Sequence, residues 1–330
     1  MTPRPFGTTG VEVAPLTLGA MNFGIATPPE EAAAMLARAI DAGINLIDTA
    51  DVYGESEQVV GEVLERTARR DDVLLATKVG LPRGDGEPGR WHRREHIVGS
   101  CDASLRNLRT DRIDLYQLHR PSAVVPMDET LGVLGELVDA GKVRWIGTST
   151  FAAWMVVDAL GLARDRGFPA VVSEQPPYNL LDRRADNELL PMCAHHDVAV
   201  IPWSPLAAGI LAGRYDRLDS VPADSRAALV PMTRERMNER ALAVAVAVGE
   251  MARERGLSTS QLALLWTKDQ PGVTAPIIGP RTLEQLDDAL GVLDLSLDDD
   301  ARAACDALVH PGNAVSDFYS TAFWMQAEVQ

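Results

Sequence analysis

The chain is poor in the features that mark several common protein classes. Its 330 residues include three cysteines, Cys101, Cys193 and Cys305, an odd number without a CxxC pair. That excludes a disulfide framework and the usual zinc arrangements, so all three are expected to pack as small apolar residues. No uncharged apolar run reaches the roughly 18 residues of a membrane span, and the start, MTPRPFGTTG, has no apolar stretch of secretory type. No membrane association is expected, and the expected location is cytoplasmic. Lys/Arg blocks are also missing, and a formal charge of −16 repels phosphate backbones. Nucleic acid is therefore not an expected partner. No GxGxxG follows a strand-like run, which argues against a Rossmann domain. His195 and His196 have no carboxylate at ligand spacing, and adjacent helix positions point apart, so they read as structural and no metal is expected.

What is present is an ordinary globular composition, 46% hydrophobic and 24% charged, enough to build a large core. Eight short β-rich runs end in polar residues: APLTLG, INLIDTA, VLLATK, IDLYQLH, VRWIGTS, AVVSEQ, VAVIPWS and TAPIIG. Their near-continuous apolar character suits parallel strands buried on both faces. Between them lie segments with helical spacing, such as Ile97, Cys101, Leu105 and Leu108, or Leu131, Leu134 and Leu137. This alternation predicts an α/β fold, a (β/α)8 TIM barrel forming one domain over residues 1–330. Pro3 to Glu12 reads as a short N-terminal hairpin closing the floor, Leu211 to Arg234 as a long loop after the seventh barrel strand, and TLEQLDDAL and SLDDDARAACDAL as extra C-terminal helices.

In such a barrel, chemistry gathers at the C-terminal strand ends. Asp48, Lys78, His119, Ser149, Gln175 and Trp203 all lie at or just past those ends, and Tyr53 follows Asp48 in the same loop. An unperturbed phenol has a pKa near 10 and yields its proton reluctantly at pH 7, whereas an ammonium beside it favours the ionised form. Lys78 is the candidate ammonium for Tyr53, Asp48 the counter-charge for Lys78, and His119 the group that orients a substrate oxygen. Together they would make a general acid.

The runs NLIDTADVYG, ATK, YQLH, GTST, SEQPPYN, WSPLAAGILAG and IIGPRTLEQL occur in the order and spacing of the aldo-keto reductase superfamily, which the chain resembles from about Val11 to Leu290. The resemblance implies that Asp48, Tyr53, Lys78 and His119 are the catalytic tetrad and that the cofactor is NADPH/NADP+. It implies nicotinamide contacts at Ser149, Gln175 and Trp203, and a pyrophosphate loop using Ser204, Pro205, Leu206, Gly209 and Arg214. Gly279, Arg281, Gln285 and Asp288 would hold the adenosine end, with Arg281 favouring NADPH over NADH. Two positions depart from the pattern, Thr150 and Ala289, where related sequences often carry Asn. WIGTSTF, Trp203 and QPPYNLLDRR look closest to bacterial reductases and the potassium-channel β-subunit-like branch.

The expected partner is a small carbonyl compound, an aldehyde or ketone, keto sugars included, with the protein a monomer or homo-oligomer. The alternative is a nicotinamide-binding regulatory subunit with slow or no turnover. Substrate-facing candidates are Phe23, Val52, Trp91 and Tyr178, together with the loop PRGDGEPGRWHRRE around Trp91 and the C-terminal FYSTAFW.

Overall fold

The computed structural model describes residues 1–81, 89–215, 217–223 and 225–319. Ten strands are numbered in chain order. β1 (Arg4–Pro5) and β2 (Glu12–Val13) form an antiparallel hairpin. The eight strands read from the sequence follow: β3 (Thr17–Gly19), β4 (Leu46–Asp48), β5 (Leu74–Val79), β6 (Ile113–Leu118), β7 (Val143–Ser149), β8 (Val171–Gln175), β9 (Ala199–Val200) and β10 (Ile277–Ile278). They lie in one parallel sheet in the order β10-β3-β4-β5-β6-β7-β8-β9. Backbone bonds from Ala275 N to Val200 O and from Ile277 N to Pro202 O bring its two ends together, as a (β/α)8 barrel requires.

Period-2 geometry divides each strand between two environments. On β6, Leu115 joins the interior floor cluster while Tyr116 and Leu118 join the larger cluster shared with the helices, and the Tyr116 hydroxyl donates to Ile97 O. All three cysteines are buried, and burial pushes the thiols of Cys101 and Cys305 up to about 12. They act as apolar packing, as their spacing implied.

The segment after β9 is more ordered than a plain loop. It contains a kinked 3-10 run at Ala207–Ala212 and short helices at Arg226–Leu229 and Pro231–Arg236. The two added helices near the C-terminus span Leu283–Leu290 and Asp299–Leu308. Among the described residues, no helix is long and apolar enough to cross a membrane.

Candidate active site

Register places the polar strand ends side by side. Asp48 is level with Ala76, Lys78 with Gln117, and Ser149 with Gln175. Lys78 is fully buried and donates from Nζ to Asp48 Oδ2 at 2.6 Å and to Thr49 O at 2.7 Å. Asp48 Oδ1 accepts from Gln117 Nε2 at 3.0 Å and Gln175 Nε2 at 2.9 Å. Burial alone would favour neutral Lys78, but the Asp48 carboxylate that accepts its hydrogen bond helps outweigh burial, and the ammonium's pKa is raised. Lys78 therefore keeps its proton in the barrel interior.

Above this pair stands half-buried Tyr53, with Lys78 Nζ 5.0 Å from its ring centroid. The Tyr53 hydroxyl is 3.3 Å from His119 Nε2, and the two rings meet edge to face at 5.6 Å. Burial, then the charges of Lys78 and Arg120, hold the His119 pKa well below its ordinary value. The imidazole is neutral, with Nδ1 buried and lacking a hydrogen-bond partner among the described residues. Asp48, Tyr53, Lys78 and His119 thus meet at one mouth from three consecutive strands.

Beside them, the Ser149 hydroxyl donates to Gln175 O at 3.0 Å, and half-buried Trp203 donates from Nε1 to Thr150 Oγ1 at 3.3 Å. The backbone then enters the left-handed region at Ser204 (φ 55°), Ala207 (50°), Ala208 (55°) and Gly209 (94°). Side chains rarely adopt this conformation, and strain of this kind concentrates at ligand-binding turns. Among the described residues, a Cβ at Gly209 would meet nothing closer than the Tyr215 hydroxyl at 3.9 Å. Pro205 is buried, Leu206 half-buried and Arg214 exposed. At the far rim, Gln285 Oε1 accepts from Arg281 N at 2.9 Å, and a Cβ at Gly279 would reach only Asn22 Nδ2 at 3.9 Å. Asp288 accepts from the Ser258 hydroxyl at 2.9 Å and so braces the neighbouring helix start.

The substrate-facing expectations fare less evenly. Val52 is half-buried beside Tyr53 and remains a candidate. Tyr178 requires correction, because it is fully buried, stacked on Trp266 at 5.4 Å, and its hydroxyl is bonded to Asp186 at 2.5 Å. Phe23 is likewise fully buried; both rings fill the core and present no surface to a ligand. Trp91 packs within its own segment, edge-on to His96 at 4.8 Å and under Arg90 at 5.2 Å. Residues 82–88 of its loop and 320–324 of FYSTAFW lie outside the described residues. His195 and His196 do not point apart as expected: the helix ends at His195, and their exposed rings touch edge to face at 4.8 Å. Among the described residues no metal-ligand cluster forms.

The family model of the Aldo/keto reductase family matches residues 15–310. The chain belongs to the aldo-keto reductase family. It is 35% identical to an uncharacterized oxidoreductase, YrpG, of Bacillus subtilis (strain 168), over 95% of this chain and 98% of the relative. It is 32% identical to the L-glyceraldehyde 3-phosphate reductase of Escherichia coli (strain K12), covering 89% and 88%. A probable voltage-gated potassium channel subunit beta of Arabidopsis thaliana is 31% identical, covering 89% and 92%.

In this aldo-keto reductase the structure adds residues that the sequence did not single out. Gln117 clamps Asp48, and Gly147 leaves room for it, since a Cβ there would lie 3.1 Å from Gln117 Cγ and 2.5 Å from Ser173 Oγ. Nothing in a β-strand reading distinguishes such a glutamine from a packed polar residue; its register against Lys78 does. Thr150, one of the departures, has φ 60°, a region that suits Asn better than a β-branched residue. Its hydroxyl instead holds the Trp203 indole. Glu174 is fully buried, and burial raises its pKa to about 7 despite bonds from Thr148 and the Phe151 amide.

Proposed function

We propose that this protein is an NADPH-dependent reductase of aldehydes or ketones in which Tyr53 is the general acid. The observation that carries the reading is the buried Asp48–Lys78 pair set directly beneath Tyr53, whose hydroxyl shares one small space with His119 Nε2. A carbonyl oxygen placed there meets a neutral imidazole and a phenol together. As the carbonyl carbon is reduced, the Tyr53 O–H bond breaks and an O–H bond forms on the nascent alkoxide. The negative charge left on the phenol faces Lys78, which stays protonated because Asp48 holds it. Charge compensation inside a low-dielectric pocket makes this transfer favourable.

The residues fit a nicotinamide dinucleotide. The strained turn after Trp203 carries the small residues Ala207, Ala208 and Gly209, which permit close backbone approach by a pyrophosphate, and Arg281 is half-buried. Such a group supplies the hydride. Ser149, Gln175 and Trp203 would fix its nicotinamide end, Ser204, Pro205, Leu206, Gly209 and Arg214 its pyrophosphate, and Gly279, Arg281, Gln285 and Asp288 its adenosine end.

The test is NADPH oxidation against aldehydes, quinones, diketones and keto sugars, with Tyr53→Phe as the control. The variant is expected to lose about 10²- to 10⁴-fold in turnover while binding NADPH within a few-fold of the parent. Retention of most turnover would remove Tyr53 as the acid. A second reading, a nicotinamide-binding regulatory subunit, is favoured by the likeness to the plant channel subunit. A protein that binds NADPH but reduces none of the panel would follow it.

A further inference from the structure

With 47 acidic and 31 basic side chains, guanidiniums in this protein commonly lie against carboxylates, as in Arg38–Asp287, Arg70–Asp114 and Arg255–Asp298. Arg120, Arg226 and Arg236 do not. All three are half-buried, and none has a salt bridge among the described residues. Burial is the first cause lowering the pKa of each. The next feature they share is one another: Arg236 lowers Arg120, Arg226 lowers Arg236, and Arg281 lowers Arg226. Contacts link Arg236 and Arg120: Arg236 lies over Phe318, whose neighbour Tyr319 donates to Phe151 O, and the adjacent Thr150 holds the Trp203 indole that Arg120 faces.

Apart from Glu235, beside Arg236 in the chain, the acids facing these arginines are already engaged. Asp182 and Asp317, which attract Arg236, are bound by Arg184, and Glu174, which faces Arg120, accepts from Thr148 and the Phe151 amide. Arg120 and Arg236 are held by other means. Arg120 donates from Nη1 to His119 O at 2.6 Å and lies 5.9 Å from the Trp203 ring centroid. Arg236 lies 4.4 Å over the Phe318 ring and donates from Nε to Asp317 O at 3.0 Å. Its Nη groups, the edge that matches a phosphate or carboxylate in bidentate fashion, make no hydrogen bond among the described residues. Partly desolvated like charges held together are unfavourable until an anion joins them.

We infer that Arg120 and Arg236 form a subsite for an anionic group, phosphate or carboxylate, carried by the carbonyl substrate; this rests on the carbonyl-reductase reading. Arg226, which feels the charge of Arg281, belongs to the cofactor's side. Arg236 and Arg120 lie toward His119 and Trp203, where the reacting carbonyl would sit. The substrate class is a short aldehyde or ketone with its anion a few bonds from the carbonyl carbon. In an otherwise acidic protein this local positive field also draws such a substrate to the mouth.

The experiment titrates glycerol 3-phosphate calorimetrically into the NADP+-saturated protein. It also compares kcat/KM for matched pairs, glyceraldehyde 3-phosphate against glyceraldehyde and 4-oxobutanoate against butanal. The parent is expected to bind glycerol 3-phosphate and to prefer the anionic member of each pair. Arg236→Met should reduce both the binding and the preference roughly ten- to a hundredfold through KM rather than kcat, the scale of a charged hydrogen bond. Arg236→Lys should restore part of each. Arg120→Met, on a different segment, repeats the titration should Arg236→Met fail to fold. Absence of glycerol 3-phosphate binding by the parent overturns the inference, as does equal binding by parent and folded variants. So does a loss of NADPH affinity matching the loss of preference, because the anion would then be the cofactor's own phosphate. If no carbonyl is reduced yet glycerol 3-phosphate binding depends on Arg236, the anion subsite stands and only the reductase reading falls.

Discussion

The floor and the mouth of the barrel are built from the same strands, two residues apart. Leu46, Ala76 and Leu115 join Phe6, Val13 and Ala275 in an apolar floor cluster, whereas Asp48, Lys78 and Gln117, the next inward positions on β4, β5 and β6, form a charged, hydrogen-bonded mouth. Both layers are buried. They differ in what burial costs: apolar side chains gain by leaving water, while the mouth must compensate every buried charge with a partner. Backbone strain follows the same division, with Thr150, Ser204, Ala207 and Ala208 in the left-handed region beside the mouth. The floor carries stability, and the mouth gives up some of it to position reactive groups.

Lys78→Met should break this comparison most severely, because it removes the counter-charge of Asp48 and the cation beneath Tyr53 together. Turnover is expected to fall about 10²- to 10⁴-fold, and the stranded carboxylate should cost about 3–5 kcal/mol in a urea unfolding series. Unchanged stability would mean that Gln117 and Gln175 suffice to hold Asp48. The floor counterpart is Phe6→Ala, which opens a cavity beneath the barrel. It should destabilise by about 3–5 kcal/mol while turnover per folded molecule stays near the parent's. A comparable fall in turnover would show that the two layers are mechanically coupled.

Smaller effects belong to the rim. Arg281→Ala should weaken NADPH by about 1.5–3 kcal/mol and leave NADH nearly unchanged, since a ribose hydroxyl cannot replace the charged bond. Equal losses for both dinucleotides, read by fluorescence titration, would move the 2′-phosphate elsewhere.

The smallest expected effect is in pH dependence. The folded pKa of His119 lies below the 6.5 of an ordinary histidine, chiefly through burial, so the unfolded chain takes up that proton first as pH falls. Its contribution to stability is complete above pH 6.5 and declines below it, by up to about 1.4 kcal/mol per pH unit, until the folded value is reached. His92, also lowered by burial, acts in the same sense. Glu174, raised from 4.5 to about 7, acts in the opposite sense over an overlapping window. The difference between the parent and His119→Gln therefore isolates the histidine: the parent should lose stability faster between pH 6.5 and 5. Parallel curves would show that His119 is charged in the folded protein.

Much of this molecule was legible from local pattern. The eight strand runs, the hairpin at the start and the two added helices follow from apolar period and turn residues, and all appear in the structure. Asp48, Lys78 and His119 were visible because they end or follow strands, and a parallel barrel necessarily gathers those ends on one face. Tyr178 misled for the same reason: it too follows a strand, yet its ring turns inward onto Trp266. Position along the chain specifies which end of the barrel a residue occupies. It does not specify which way a loop side chain turns or what charge lies across the pocket from it. Gln117 beneath Asp48, Thr150 against Trp203, and Arg120 and Arg236 from segments more than a hundred residues apart are set by register and by the fold of the segment after β9. Those contacts join distant parts of the chain, so the sequence alone fixed the barrel and its reactive ends, and tertiary packing decided how their charges are arranged.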